Sequence, residues 1–282
     1  MVRDMQLVAL NDSQFRRLSE FIESEVGIKM PPTKRIMLES RLRKRLRVLG
    51  IDSFEEYIEY VFSSHAGEII HMIDVVTTNK TDFFRESQHF DYMTDTLLPE
   101  EYGKGWGRGS KLKVWSAASS TGEEAYTLAI VLSEFARDNP GFDYRILGTD
   151  ISTAVLDAAR KGVYRADRID PVDPVLRRRY FLKSRNPDSG LVRVRADLRR
   201  RAQFHRLNLM HERYPIRDKF HIIFCRNVII YFERPRQMEL LNRLYQHLIP
   251  GGYLFLGHSE SLAGMSLPVE TVAPTIYRRV EW

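Results

Sequence analysis

A run of small residues at 116–122 has the composition of a ligand-binding turn. Lys113 to Trp115 before it has strand character, and apolar residues at helical spacing follow from Ala125 to Phe135. Ser, Ala, Thr and Gly let a backbone approach a ligand closely, and open α/β sheets bind ligands at such strand-to-helix turns. We therefore predict a ligand beside this turn.

Two carboxylates after the turn, Glu123 and Glu124, restrict the kind of ligand. Neither a G-x-G-x-x-G nor a G-x-x-x-x-G-K-[ST] pattern is present there, so the common phosphate cradles are missing. Acidic side chains repel a phosphate and attract a cation. A nucleoside with a positive charge and no phosphate fits this site, and S-adenosylmethionine is the common one.

An acid also ends the next predicted strand, at Asp150. A carboxylate in that position suits a bidentate hydrogen bond to ribose hydroxyls. The alternative is a cap for a helix that opens at Ser152 or Thr153. The neighbouring acidic turn favours the ribose role.

Polar residues follow two further predicted strands. Asn208 can bond to an adenine edge while Leu209 packs on its face, with a simple turn asparagine as the alternative. Ile222–Cys225 has the composition of a buried strand. Arg226 and Asn227 are polar where that strand ends, which is where substrates lie in such sheets.

The elements that hold these residues divide the chain. We assign 1–90 to an N-terminal all-helical domain and 91–110 to a Gly-rich linker. Strands and helices alternate over 111–282, which predicts a doubly wound, mostly parallel α/β sheet. A turn signal at Asn186–Gly190 indicates a small antiparallel β insert at about 180–204. The predicted strands are Leu112–Trp115, Tyr144–Asp150, Ala202–Asn208, His221–Cys225 and Gly252–Gly257, and the predicted helices after the linker are Ala125–Ala136, Thr153–Lys161 and Pro235–Leu248.

Charge is unevenly distributed over the 282 residues, although the net charge is only +6. Residues 29–50 have a balance of +7 and residues 160–201 a balance of +9, so the rest is acidic. Such patches favour acidic partners. With the single cysteine Cys225, no signal-peptide pattern and no apolar stretch of membrane-spanning length, we expect a cytoplasmic protein without direct membrane insertion.

Four motifs together resemble one family: Thr77–Glu86, Trp115–Glu124, Phe224–Phe232 and Gly257–Glu260. In this order and spacing they are similar to those of the chemotaxis receptor methyltransferases, the CheR family. The resemblance implies a class I S-adenosylmethionine-dependent methyltransferase fold behind a helical domain. It also implies methyl transfer to glutamate side chains of chemoreceptor cytoplasmic helices for sensory adaptation, with S-adenosylhomocysteine as product and no metal.

The resemblance also implies which residues contact the cofactor. Glu124 ranks above Glu123 by family position alone, and Ala125 and Thr127 stand where Pro and Ser are more usual. The implied contacts are Asn79, Thr81, Arg85, Glu124, Asp150, Asn208, Leu209, Arg226 and Asn227.

A glutamate acceptor simplifies the chemistry, because its pKa of about 4.3 leaves it ionised at neutral pH. No general base is needed, and no His-Asp or Cys-His arrangement stands out in the motifs. We expect Arg85 to order the cofactor end of the pocket and Tyr231 to orient the acceptor.

Two basic regions are candidates for receptor contacts. A predicted helix buries Leu38, Leu42, Leu46 and Leu49, and its other side is basic without an acid among Arg41, Arg43, Lys44, Arg45 and Arg47. We predict that these bases dock an acidic receptor helix, with a solvated face as the alternative. The insert resembles a family subdomain that in some members captures a peptide at the receptor C-terminus.

Two other functions compete with this one. A nucleic-acid methyltransferase would agree with the pI of about 9.4, but Cys225-Arg-Asn-Val lacks the prolines that amino-methylating enzymes carry there, and we expect no nucleic-acid partner. A non-catalytic module that binds S-adenosylmethionine or a receptor is the other alternative.

Overall fold

The computed structural model describes residues 9–63 and 66–280. A bundle of helices is followed by a seven-stranded sheet with helices on both faces, and a three-stranded antiparallel sheet lies beside it. Among the described helices, none combines the length and the apolar character needed to cross a membrane.

The bundle is built from sequence signals at the helix ends. Asn11 forms a reciprocal capping box with Gln14, Ser53 caps the third helix, and Gly50 ends the second in the left-handed region. Of the predicted apolar stripe, Leu38, Leu42 and Leu46 are fully buried and Leu49 is half-buried. The four helices are α1 (Asp12–Val26), α2 (Arg35–Leu49), α3 (Phe54–Phe62) and α4 (Ala66–Val76), with a 3₁₀ turn at Pro32–Lys34.

The two sheets share the rest of the chain. The strands are β1 (Leu112–Ala117), β2 (Tyr144–Asp150), β3 (Val163–Arg165), β4 (Phe181–Lys183), β5 (Leu191–Val194), β6 (Ala202–Arg206), β7 (Phe220–Cys225), β8 (Leu248–Leu256), β9 (Val269–Ala273) and β10 (Ile276–Arg279). The large sheet has the order β6-β2-β1-β7-β8-β10-β9, parallel from β6 to β8 and antiparallel at β10 and β9. The small sheet has the order β3-β5-β4.

Helices cover both faces of the large sheet. One apolar core packs the helix at 123–138 against the sheet, and a second core packs the helix at 234–247 against its other face. These helices and the remaining ones are α5 (Gln88–Tyr92), α6 (Leu98–Gly103), α7 (Glu123–Asp138), α8 (Thr153–Lys161), α9 (Pro174–Tyr180), α10 (Ala196–Arg201) and α11 (Arg234–His247).

The segment predicted as a linker is largely helical. A π-helical turn at Met93–Leu97 joins α5 to α6, and Phe90, Met93 and Leu97 are buried in the core of the sheet. Only the Gly-rich part after Gly103 lacks helix. The prediction of a linker rested on the glycines and did not take account of the apolar spacing before them. Residues 91–103 are packed helix instead.

The insert and the sheet edge also differ from the prediction. The small sheet begins at Val163, well before 180, while α10 and β6 at the end of 180–204 belong to the α/β layers. β3 has only three residues and follows α8 directly, so its pattern is too short to recognise. The sequence also did not predict the antiparallel strands β9 and β10.

Candidate active site

A cleft opens where the carboxyl ends of β1, β2 and β7 face the helical bundle. All the predicted cofactor residues lie on its wall: Asn79, Thr81, Arg85, Glu124, Asp150, Asn208, Leu209, Arg226 and Asn227. Tyr231 lines it too. The structure thus brings together the residues that the sequence placed at separate strand ends; their contact with a cofactor stays a prediction.

The turn after β1 is shaped by residues with positive φ. Ala118 has φ 62°, Ser120 has φ 50° and Gly122 has φ 94°. A Cβ on Gly122 would lie 2.9 Å from Cβ of Ala159, so glycine is required by both conformation and space. This backbone brings Ala118 and Ser120 to the cleft wall.

Glu124 is held on the cleft wall by two donors. Oγ of Ser116 donates to its Oε1 at 2.7 Å, and Nε of Arg226 donates to its Oε2 at 2.8 Å. The residue is 9% exposed. A buried carboxylate with fixed orientation is therefore available to a positively charged ligand group.

Glu123 points elsewhere. Its Oε1 accepts from Arg168 at 2.8 Å and its Oε2 accepts from Thr121 at 2.5 Å. It is 1% exposed and does not line the cleft. The structure thus supplies the physical reason for ranking Glu124 above Glu123, which sequence alone did not give.

Arg226, on the cleft wall, connects three segments of the chain. Besides Glu124, its guanidinium donates to the Arg85 carbonyl oxygen at 2.9 Å and contacts Nδ1 of His89 at 2.9 Å. Burial is the main cause that lowers the pKa of His89 to about 4, and the positive charge of Arg226 adds to it. A neutral His89 can accept from Arg226 at Nδ1 and donate to Thr275 at Nε2, at 2.9 Å.

Glu260, from a motif that carried no assigned residue role, anchors the exit of β7. Its carboxylate accepts backbone N–H groups from Gly257, Asn227, Val228 and Ile229 at 2.7 to 2.9 Å. Burial raises the pKa of Glu260, although these four bonds oppose the shift. The resulting loop carries Asn227, with φ 58°, to the cleft.

Asp150 is buried at the end of β2, 7% exposed. Its two oxygens accept the backbone N–H groups of Ser120 and Ser152 at 2.9 and 3.0 Å. Burial raises its pKa, and these backbone bonds oppose the rise. Ser152, not Asp150, caps α8, so the helix-cap alternative does not hold.

Part of the cleft wall, after β2, β6 and β7, is apolar. Leu207, Leu209, Ile151 and Val228 line it, and Asn208 lies between the two leucines in sequence. Nδ2 of Asn208 donates to the Glu25 carbonyl oxygen at 2.7 Å, and its Oδ1 accepts from Met210 at 2.9 Å. Asn208 thus ties this wall to the helical bundle, a contact that the sequence did not predict.

The loop after α4 closes another side. Oγ of Ser120 donates to the Asn79 carbonyl oxygen at 2.9 Å, and Thr81 is buried next to it. Nη1 of Arg85 donates to the Lys80 carbonyl oxygen at 3.0 Å. The loop is therefore held against the strand-to-helix turn that it faces.

The helical bundle supplies the remaining wall of the cleft, and the sequence did not predict this contribution. Val26, Ile28, Met30 and Met37 are its apolar part. Lys34 also lines the cleft, and its Nζ lies 5.7 Å from the centroid of the Tyr231 ring. Burial and the charge of Arg41 lower the pKa of Lys34. Proximity in sequence to the basic helix is the only signal that marks it.

The bases predicted to dock a receptor do not form one outward surface. Nη1 of Arg41 donates to the carbonyl oxygens of Val76 and Thr77 at 2.5 and 3.0 Å. Arg45 forms a two-point ion pair with buried Glu68, at 2.7 and 2.6 Å. These two arginines stabilise the bundle internally, which corrects the prediction for them.

The other bases of α2 remain toward solvent. Lys44 and Arg47 are exposed, and Arg43 is half-buried, 3.9 Å from Glu39. Ile36 and Val48 on the same helix are 79% and 73% exposed. We call the set Ile36, Arg43, Lys44, Arg47 and Val48 the α2 surface.

One group of side chains in the described residues has the spacing of metal ligands: Glu86, His89 and His258, with ligand atoms within 4.8 Å of one another. Both ring nitrogens of His89 are already engaged by Arg226 and Thr275. The adjacent guanidinium charge also disfavours a cation there. That no metal takes part stays a prediction.

Buried carboxylates, apolar walls and a turn of small residues suit a cationic nucleoside, and the turn after β1 lacks the glycine motifs that bind phosphate. A cleft of this chemistry at the carboxyl ends of a mostly parallel sheet defines the class of S-adenosylmethionine-dependent methyltransferases.

Sequence comparisons then identify the family. Residues 79–277 match the CheR methyltransferase, SAM binding domain, and residues 13–77 match the CheR methyltransferase, all-alpha domain. The chain belongs to the CheR methyltransferase family. It is an enzyme, S-adenosylmethionine is its methyl donor, and its reaction belongs to chemotaxis adaptation; a nucleic-acid methyltransferase is not favoured.

Two relatives from different bacteria are chemotaxis protein methyltransferases by name. The chemotaxis protein methyltransferase of Escherichia coli (strain K12) is 39% identical, over 96% of this chain and 92% of that protein. The one of Borreliella burgdorferi is 37% identical, over 96% of both chains. Among solved structures, the glycopeptide N-methyltransferase MtfA with S-adenosyl-L-methionine covers 66% of this chain and 58% of that chain at 17% identity and TM-score 0.34, too low to inform function.

Proposed function

We propose that this enzyme transfers the methyl group of S-adenosylmethionine to glutamate side chains of chemoreceptor cytoplasmic helices. The observation that carries the proposal is the charge of the cleft. Lys34, Lys80 and Arg85 line it without an ion pair in the described residues, whereas the acid Glu124 is paired and Asp150 accepts backbone N–H groups. An anionic acceptor complements such a surface.

The chemistry needs no proton transfer. Bound S-adenosylmethionine supplies a methyl group on a positively charged sulfur, and a carboxylate oxygen forms the new O–C bond as the C–S bond breaks. The electron pair stays on sulfur, which leaves S-adenosylhomocysteine and a glutamate methyl ester. The cleft must strip water from the carboxylate and align it with the methyl group.

Within this proposal, the nine predicted residues hold the cofactor. Asp150 accepts from the ribose hydroxyls, Leu209 packs on the adenine, and Glu124 faces the positively charged end. Arg85 orders the cofactor end of the cleft and Tyr231 orients the acceptor. Both line the cleft, Arg85 from the loop after α4 and Tyr231 from the segment after β7.

The receptor docks on the α2 surface. Its exposed bases complement an acidic helix, and its exposed Ile36 and Val48 add apolar contact area. Receptor cytoplasmic helices lie in the cytoplasm, which is where we place the enzyme.

The small sheet is a second contact, for a peptide at a receptor C-terminus. Val163, Leu182 and Leu191 are 38%, 50% and 40% exposed on the face that also carries Arg165 and Arg193. Apolar side chains interleaved with arginines suit a short peptide with apolar and acidic residues.

The test is transfer of a labelled methyl group from S-adenosylmethionine to chemoreceptor cytoplasmic fragments, followed by alkali. We expect the label to be released as methanol, because a carboxyl methyl ester is hydrolysed by alkali. Alkali-stable label would mean methylation of nitrogen. No label despite calorimetric binding of S-adenosylmethionine to the enzyme, with every receptor fragment tried, would favour the non-catalytic module.

A further inference from the structure

Lys34 carries a positive charge from the helical bundle into the cleft. It ends the 3₁₀ turn Pro32–Lys34 immediately before α2 and is half-buried. Its Nζ donates to the Lys29 carbonyl oxygen at 3.0 Å and lies over the Tyr231 ring. The turn is itself held to the α/β domain, because the Lys29 N–H donates to the Tyr231 carbonyl oxygen at 3.2 Å.

The ammonium has capacity for a ligand. It carries three N–H donors, and the Lys29 carbonyl oxygen uses one. Among the described residues, no carboxylate forms an ion pair with it. Glu233, the acid close to this turn, is taken by Lys29 at 2.9 Å.

Resting on the proposed function, we propose that Lys34 is the specificity-determining residue of the acceptor site, which receives one carboxylate oxygen of the acceptor and discriminates an ionised glutamate from a neutral amide of the same shape. The Tyr231 ring, which lies next to Lys34 in the cleft, then contacts the bound acceptor.

The discrimination follows from charge. A hydrogen bond from an ammonium to a carboxylate is roughly twice as strong as one to a neutral acceptor. A glutamine offers one carbonyl oxygen and turns an NH₂ group, whose hydrogens carry positive charge, toward the other cations of the cleft. We expect about a tenfold preference for the carboxylate from this contact alone.

The same contact leaves the reaction possible. A carboxylate has two oxygens, so the oxygen that is not bound to Lys34 keeps its lone pairs for attack on the methyl group. Lys34 transfers no proton, since the acceptor is already ionised. Its removal therefore acts on acceptor binding more than on turnover.

The test uses four full-length enzymes: the wild type, Lys34→Met, Lys34→Arg and the control Lys111→Met. Lys111 forms an exposed ion pair with Asp143 at the amino ends of β1 and β2, whereas the cleft lies at their carboxyl ends. A chemoreceptor cytoplasmic fragment with glutamate at its methylated positions is the substrate. The same fragment with glutamine at those positions is the competitive inhibitor, and calorimetry of S-adenosylmethionine checks that each variant is folded.

For the wild type and Lys111→Met, we expect the KM of the glutamate fragment to lie about tenfold below the Ki of the glutamine fragment. Lys34→Met should raise that KM about tenfold, raise the Ki of the glutamine fragment much less, and leave cofactor affinity unchanged. Lys34→Arg keeps the charge and should retain most of the preference.

Two results would overturn the assignment of Lys34. Equal increases in KM and Ki in Lys34→Met would mean general docking, and unchanged values in both would mean no role. Failure of the wild type to methylate any receptor fragment would instead contradict the proposed function, so the two failures are distinguishable.

Discussion

Nε of Arg226 donates a 2.8 Å hydrogen bond to Oε2 of Glu124, a residue 102 positions away in sequence. The pair joins the exit of β7 to the start of α7. Because the same guanidinium holds the Arg85 carbonyl oxygen, the loop after α4 shares this anchor. One buried cation thus fixes three sides of the cleft.

Loss of that cation should destabilise the whole fold. Arg226→Leu leaves Glu124 buried without its charged partner, a change that typically costs about 3 to 5 kcal/mol of unfolding free energy. Arg145→Leu removes an exposed ion pair with Asp218 and should cost about 0 to 1 kcal/mol. Urea unfolding of both variants measures the difference, and equal costs would refute the anchoring role.

The two neighbouring acids should behave differently toward the cofactor. Glu124→Gln removes the charge that faces the cleft, so we expect about tenfold weaker binding of S-adenosylmethionine. Glu123→Gln changes the ion pair with Arg168 outside the cleft and should leave affinity near the wild-type value. Calorimetric titration compares them, and the reverse order would contradict the geometry.

Cofactor affinity should fall in acid through Asp150. Ribose hydroxyls donate to a carboxylate, so binding favours ionised Asp150. Burial raises the pKa of Asp150, so binding is full above that raised pKa and weakens as the pH falls through it. The loss therefore occurs at a pH above about 3.9, the ordinary pKa of an aspartate. Titration of S-adenosylmethionine over falling pH should show this loss, whereas Asp150→Asn should bind weakly without the same pH dependence.

Arg85 and Tyr231 should matter more for turnover than for cofactor binding. Tyr231→Phe keeps the ring that borders the cleft and removes only the hydroxyl, and Arg85→Ala removes the guanidinium that packs on the loop after α4. We expect kcat to fall about tenfold or more while the Kd for S-adenosylmethionine changes less. Unchanged turnover would remove either residue from the catalytic set.

Receptor docking should depend on some bases of α2 and not on others. Charge reversal of Lys44 and Arg47 should raise the KM for receptor and weaken the salt dependence of the rate, with stability near the wild-type value. Arg45→Glu instead places an acid beside buried Glu68 and should destabilise the helical bundle. An unaltered KM in the first variant would reject the α2 surface.

The sequence predicted most of what positions the site. Strand ends at Asp150 and Cys225 and the turn before Glu124 follow from strong local patterns, namely buried apolar runs and small residues. The strands β3 and β9 show no such pattern. The inward turn of Arg41 and Arg45 was not predictable either, because their partners Val76 and Glu68 lie on another helix. Lys34 reaches the cleft only through packing between the bundle and the sheet.

The most direct test of the central claim is tandem mass spectrometry of a receptor cytoplasmic fragment after reaction with S-adenosylmethionine. The account predicts one methyl group on individual glutamate side chains, lost when those glutamates are replaced by glutamine. A methyl group on a lysine, an arginine or a backbone amine would contradict it.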